Sequence, residues 1–214
     1  MKVQQFIKKL NNTELGKGNT HEYYVLVPSG IMDGFFDSSK PSVFDCIGGS
    51  ELSGIHISNG REFRINGLGD YYRNNDVNAG DEIIFQKTDD NGIISFDVNL
   101  KTNKNLVTLQ KIGDRGFEIL SLGNLSSSEA GLSDSYEIKA AYQGILSTIK
   151  IEFNLKEKKR KDSPEETSFY KILVNDQDVQ QDFNGKGFLV NIRETGNGKV
   201  LCKSCTWQKY EFNY

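Results

Sequence analysis

The sequence predicts a mainly β protein, with about seven strands and two short helices in its first half and a second β-rich region after it. Short apolar runs alternate with turn signals at intervals near ten residues through residues 1–111, a rhythm typical of sandwiches and barrels. The 214-residue chain also carries 13 Phe, 9 Tyr and 1 Trp, enough bulky side chains for a packed core. We therefore expect a folded, sheet-rich protein.

The apolar runs of the first half place its strands at 3–10, 22–27, 43–47, 55–57, 62–65, 82–86, 93–100 and 106–112. Asn91-Gly92 predicts a hairpin between the sixth and seventh runs, because both residues accept positive φ at low cost. Pro28 ends the second run, and Ser29 can cap a short helix whose apolar residues recur at helical spacing. A second, shorter helix is predicted at 70–74, between glycine and asparagine clusters.

The second half begins with a predicted linker or long loop at 113–135, where Gly, Ser, Asp and Asn dominate. Further strands are predicted at 136–142, 145–155, 169–174, 188–193 and 200–207. The lysine-rich run at 156–161 is followed at once by acidic residues, which is typical of a solvated loop. The predicted domains are therefore 1–112, the linker 113–135, and a β-rich region of unknown role at 136–214.

The charge balance excludes a protein that coats nucleic acid indiscriminately. The 26 basic and 29 acidic residues give a formal net charge of −3, so any site for a polyanion must be a local patch. Only three cysteines are present, which favours a reducing compartment, and the expected location is cytoplasmic. No apolar stretch approaches 18 residues, so no membrane association is expected.

Motifs for catalysis are sparse. The chain lacks a phosphate-binding loop and a G-x-S-x-G elbow, and its two histidines leave few ways to build a triad. Cys202 and Cys205 have the spacing of half a zinc site, but no second pair accompanies them. We expect no cofactor, no metal and no catalytic residue. One alternative stays open, in which Glu137, Lys139 and an upstream Asp114 serve a metal-dependent nuclease at 113–214.

Four strings occur in a recognisable order between residues 4 and 87. They are QFIKKL, EYYVLVPSGIMDGFF, REFRI and GDYYRNNDVNAGDEIIFQ. In this order and spacing the chain resembles the DNA-binding pseudobarrel family, which includes plant B3 domains and the recognition domains of restriction enzymes. The resemblance does not cover residues 40–58 or those after about 112. It implies a pseudobarrel that grips duplex DNA with two loop arms in the major groove.

The resemblance also implies where the two arms lie. The first arm is the loop between the first two strands, with candidate DNA-binding residues Asn12, Thr13, Lys17, Asn19, Thr20 and His21. The second arm is the segment with candidates Arg61, Arg64, Asn66, Tyr71, Tyr72 and Arg73. Lysine can neutralise a phosphate, and arginine can pair with guanine through two hydrogen bonds. Asp70 and Glu62 lie nearby and would repel phosphate unless they pair with those arginines.

The expected function is therefore sequence-specific binding of double-stranded DNA, as the non-catalytic target-recognition domain of a bacterial restriction-modification system. The expected further partner is a motor or nuclease subunit, fused to this chain or separate from it, because the chain has no motor motif of its own. Besides the nuclease, a second alternative is a β-rich module that binds carbohydrate or protein, which the acidic balance of the chain favours.

Overall fold

A computed structural model of the chain describes residues 1–17, 22–36, 42–46, 51–59, 62–123, 125, 129, 135–159, 161, 163, 165–185 and 187–214. The fold is mainly β with two short helices, as the sequence predicts. Within the described ranges, no helix has the length and apolar character needed to cross a membrane.

The described chain contains sixteen strands, two α-helices and two 3₁₀ turns. The strands are β1 (Lys2–Lys9), β2 (Tyr24–Val27), β3 (Ser42–Cys46), β4 (Glu51–Asn59), β5 (Phe63–Asn66), β6 (Glu82–Asp90), β7 (Ile93–Lys101), β8 (Val107–Lys111), β9 (Phe117–Leu122), β10 (Tyr136–Tyr142), β11 (Ile145–Lys158), β12 (Glu166–Val174), β13 (Gln177–Asp178), β14 (Phe188–Thr195), β15 (Gly198–Cys205) and β16 (Trp207–Asn213). The helices are α1 (Ser29–Phe35) and α2 (Gly69–Asn74), and the 3₁₀ turns are Gly113–Arg115 and Gln180–Phe183.

The chain divides into two compact units. Unit 1 comprises Met1–Asn103 together with Trp207–Tyr214, and unit 2 comprises Lys104–Thr206. This division differs from the boundaries predicted at 112 and 136. Strand β8 belongs to unit 2 because it pairs with β9 and β14, and β16 belongs to unit 1 because it pairs with β1. The segment predicted as a linker contains strand β9.

Unit 1 is an eight-stranded sheet in the order β16-β1-β6-β7-β3-β4-β5-β2. Alternating residues of its strands face the core, as period-2 patterning requires. Phe6 of β1 and Phe85 of β6 are fully buried and stack with ring centroids 6.1 Å apart. Helix α1 adds the buried Ile31 and Phe35 to the same core. Its N-cap position is Pro28, so Ser29 is the first helical residue and not the predicted cap.

Two turns of unit 1 depend on glycine, and the first forms as the sequence predicts. Asn91 and Gly92 have φ of 54° and 88° and join β6 to β7 as a tight hairpin, in which Asp90 pairs with Ile93. At the second turn Gly80 has φ of 96°, and a Cβ there would lie 2.5 Å from the Asn103 side chain. The buried carboxylate of Asp81 closes that turn by accepting hydrogen bonds from the backbone N–H groups of Asn78 and Asn103.

Unit 2 is built from the order β11-β10-β15-β14-β8-β9-β12-β13, and an additional pairing between β11 and β12 closes seven of these strands into a ring. Its core includes the fully buried Val107, Leu109, Phe117, Ile149 and Ile172. Strand β10 matches the predicted span of 136–142. Strand β11 continues to Lys158, so half of the lysine-rich run predicted as a loop is strand.

Candidate nucleic-acid interface

The predicted first arm leaves β1 at Leu10 and is described as far as Lys17. Asn12, Thr13 and Lys17 lie in it, whereas Asn19, Thr20 and His21 are outside the described residues. The arm folds back through short-range hydrogen bonds, among them the Lys17 N–H donating to the Asn12 carbonyl at 2.8 Å. Gly16 has φ of 68°, a conformation that glycine adopts without steric cost. A bridge between Leu15 and Tyr23 then joins the arm to the approach to β2.

A buried ion pair anchors this arm. The Glu14 carboxylate lies 2.8 Å from the Lys8 ammonium, and their side chains are 1% and 6% exposed. The same carboxylate accepts hydrogen bonds from the backbone N–H groups of Asn11 and Leu26, at 3.1 and 2.9 Å. Glu14 therefore ties the start of the arm to β1 and to β2. Because every oxygen of this buried carboxylate has a partner, the pair fixes the arm where it leaves the sheet.

In the predicted second arm, β5 carries Arg64 and Asn66, and Arg61 is outside the described residues. The Arg64 guanidinium carbon lies 4.3 Å from the centroid of the Tyr24 ring, which is a cation–π contact. Arg64 also donates to Glu62 at 2.9 Å and lies 3.5 Å from Glu22. The hydrogen bond with Glu62 is the main cause that raises the pKa of Arg64. Glu62 is thus paired with Arg64, which is the condition under which it is expected not to repel phosphate.

Helix α2 carries the remaining predicted residues. The Arg73 guanidinium lies 5.3 Å from the centroid of the Tyr23 ring and forms an ion pair with Asp70, whose hydrogen bond raises the pKa of Arg73. Tyr71 is half-buried. Tyr72 is 3% exposed and packs edge-on against Tyr23, with ring centroids 6.2 Å apart. Burial raises the pKa of the Tyr72 hydroxyl well above its usual value, so this group stays protonated.

The burial of Tyr72 changes its predicted role. Its hydroxyl has no hydrogen-bond partner among the residues that the structure describes and is shielded from solvent, so Tyr72 does not reach DNA in this conformation. Its ring instead supports Tyr23, which lies under the guanidinium of Arg73. Tyr72 is therefore a packing residue of the second arm.

The two arms meet at one concave surface. A depression of about 420 Å³ is lined by Lys17 and Gly16 of the first arm and by Tyr72 and Arg73 of α2, with Tyr23 between them. A second depression of the same volume also includes Tyr23; its other lining residues are Glu22, His56, Ser58, Arg64 and Asn66. Tyr23 thus lies at the border between the two depressions. We call the two depressions together the arm surface.

The pairing of β4 with β5 brings two further side chains to the arm surface that the sequence did not indicate. His56 lies opposite Asn66 and Ser58 opposite Arg64, so all four point to one face of the sheet. The Asn66 side-chain amide donates to the Ser58 hydroxyl at 3.1 Å. The alternation of polar and apolar residues over His56, Ile57 and Ser58 was a usable signal in the sequence. The register between β4 and β5 was needed to place the two polar side chains on the arm surface.

Three cations lie along the arm surface within the described chain, namely Lys17, Arg64 and Arg73. The two arginines are each held by a carboxylate and an aromatic ring. Lys17 is exposed and has no ion-pair partner among the described residues. Stacked guanidinium groups keep their planar hydrogen-bonding edge and lose little conformational entropy on binding, while a free ammonium attracts phosphate as a point charge.

The candidates for other chemistry do not assemble within the described residues. Cys202 and Cys205 lie on β15 at a spacing of three, which directs their side chains to opposite faces of the strand and not to one metal. Glu137 and Lys139 share the exposed face of β10, and the Lys139 ammonium donates to the Thr148 hydroxyl. Among the described residues, no three His, Cys, Asp or Glu side chains come together in a way that could hold a metal ion.

Comparison with models of protein families and with curated proteins finds no match for this chain.

Proposed function

We propose that unit 1 binds double-stranded DNA sequence-specifically, with the first arm and the β5–α2 segment entering the major groove as two arms of a pseudobarrel. The observation that carries this proposal is that Lys17 and Arg73 line one depression, so the two predicted arms lie on the same surface. A pair of cationic segments on a common surface is what straddling a single groove requires. An arrangement on opposite surfaces would have ruled this grip out.

The residues of the arm surface divide into two chemical roles. Lys17 acts on the phosphate backbone and fixes the register of the protein on the duplex. Arg64 and Asn66, on the outward face of β5, read base edges, for which guanine and adenine are the matching partners. Glu62 and Glu22 hold the Arg64 guanidinium before DNA arrives, and the base edge replaces them as its partner.

The biological role that we propose is target recognition in a bacterial restriction system, with a motor or nuclease supplied elsewhere. This part of the proposal is supported by the resemblance of residues 4–87 to the pseudobarrel family. Selection of bound duplexes from a random library, repeated with methylated DNA, tests the function directly. The proposal requires enrichment of one short motif, and recovery of random sequence from both libraries would contradict it.

Replacing Lys17 with alanine is expected to flatten the dependence of log affinity on log salt concentration by about one unit, because one fewer counterion is released. Titration of the selected duplex by fluorescence anisotropy at several salt concentrations measures this slope. Lys104→Ala is the matched control, since it removes an exposed lysine that lies in unit 2 and has no ion-pair partner among the described residues. Equal slopes in the two variants would remove Lys17 from the interface.

A further inference from the structure

Strand β16 forms one end of the sheet in unit 1. It pairs with β1 on one side, and among the described strands no other lies along its second side. All seven of its residues are exposed, including Trp207 at 39%, Tyr210 at 42% and Phe212 at 40%. Proline, a bulge, a short length and charged side chains are devices that protect such an edge. β16 has no proline, and its register with β1 runs from Trp207 to Asn213 without a bulge. Its charged residues are Lys209 and Glu211, which are opposite in sign.

Hydrogen bonds at the end of this pair show which residues of β16 use their backbone groups toward β1. Met1 and Tyr214 exchange two bonds, with the Met1 amine donating to the Tyr214 carbonyl at 3.0 Å and the Tyr214 N–H donating to the Met1 carbonyl at 2.9 Å. Hydrogen-bonded pairs alternate along an antiparallel ladder. Phe212, Tyr210 and Gln208 therefore also bond to β1, whereas four residues direct their N–H and C=O groups outward. These are Trp207, Lys209, Glu211 and Asn213.

We propose that β16 pairs with β16 of a second copy of this chain, antiparallel about a two-fold axis at Tyr210. This register overlaps all seven residues and matches outward-facing groups only with outward-facing groups, giving about eight backbone hydrogen bonds between the copies. It places Trp207 opposite Asn213 of the other copy. It also places Lys209 of each copy opposite Glu211 of the other, so this charge pair occurs two times in the interface. The surface at a two-fold interface must be complementary to itself. Strand β16 meets this requirement because its lysine and glutamate face each other in the antiparallel register.

The side chains of β16 support the same register. Opposite charges directly across an antiparallel pair stabilise it, and like charges destabilise it. On the other face, Tyr210, Phe212 and Tyr214 form a row of stacked rings, with centroids 6.3 and 6.4 Å apart. Pairing about Tyr210 brings the Tyr210 rings of the two copies opposite each other, so the two aromatic rows become continuous. The charge complementarity favours a second copy over an unrelated strand, which would match it only by chance.

Sedimentation velocity of the full chain over a range of concentrations tests this interface. The wild-type chain should form a dimer as concentration rises. Lys209→Glu and Glu211→Lys each place like charges in both cross-strand pairs, and each should raise the dissociation constant by about tenfold or more. Glu211 also pairs with Lys2 of its own chain at 3.1 Å, so an unchanged melting temperature of each monomeric variant is required as the control. A one-to-one mixture of these two variants should form heterodimers with near wild-type affinity, because every cross-strand pair is then opposite in charge.

A backbone variant tests the hydrogen bonds of the interface, with Lys209→Gln as the control that removes the same charge and keeps the N–H. Lys209→Pro removes an outward N–H that β1 does not use, so the variant should keep the melting temperature of the monomer and lose the dimer. The proposal is overturned if the wild-type chain stays monomeric at the highest soluble concentration. It is equally overturned if a dimer persists unchanged in Lys209→Pro and in both charge reversals, since the interface then lies elsewhere.

Discussion

Replacing Glu14 with alanine is expected to lower the free energy of unfolding of unit 1 by about 3–5 kcal/mol, because it breaks a buried ion pair from one side. The Lys8 ammonium would stay buried without its carboxylate partner, and the backbone N–H groups of Asn11 and Leu26 would lose their acceptor. Denaturant unfolding measures this loss. The fluorescence of Trp207, the single tryptophan, reports on unit 1 alone because β16 belongs to that unit.

Glu82→Ala is the matched control for this variant. Glu82 also pairs with two lysines, Lys9 at 3.5 Å and Lys101 at 3.0 Å, but its side chain is 19% exposed. Because Lys101 is 67% exposed and solvent reaches this carboxylate, its loss should cost less than that of Glu14, on the order of 1 kcal/mol. If Glu14→Ala costs no more than Glu82→Ala, the Glu14 pair does not anchor the first arm as described.

Replacing Arg64 with alanine is expected to cost on the order of 1–3 kcal/mol in affinity for the selected duplex and to relax the preference at one base pair. The loss follows from the planar fork of the guanidinium, which the Tyr24 ring and the Glu62 carboxylate hold in place on the outward face of β5. Competition titrations against duplexes changed at single positions measure both effects. Arg64→Lys keeps the charge but not the fork, and should lose most of the same specificity.

Arg193→Ala serves as the control for arginine removal, because this exposed residue lies in unit 2 and outside the proposed interface. It should leave both affinity and preference unchanged. An equal loss for Arg64→Ala on every duplex would show that Arg64 contacts a phosphate and not a base. No loss on any duplex would remove it from the interface.

Local patterns in the sequence were sufficient to predict much of unit 1. Alternation predicted the strands around Phe6 and Phe85, the Asn91-Gly92 turn fixed one hairpin, and the pattern after Pro28 indicated α1. Strand β9 was missed because its six residues stand between glycine- and serine-rich segments that resemble a linker. Strand β16 was not predicted, since the last predicted strand ends at Trp207 and nothing local shows that the chain leaves at Thr206 to pair with β1.

The candidate site was predictable to the extent that it depends on residue type. Arg64 with Glu62, and Arg73 with Asp70, are close in sequence, and their pairing follows from a spacing of two or three residues. The stacking of Arg64 on Tyr24 depends on the register between β2 and β5, which sequence alone does not give. The burial of Tyr72 was missed for a similar reason, since the short helix α2 offers too few turns to define an apolar face.

The salt dependence of duplex binding tests the central claim most directly, namely that the arm surface binds the phosphate backbone of DNA. Lys17 and Arg73 are the described cations of the arm surface that are left for phosphate, so a plot of log affinity against log salt concentration should have a slope of about −2. A slope near zero, or binding to duplex no tighter than that of an acidic protein of the same size and charge, would contradict the account.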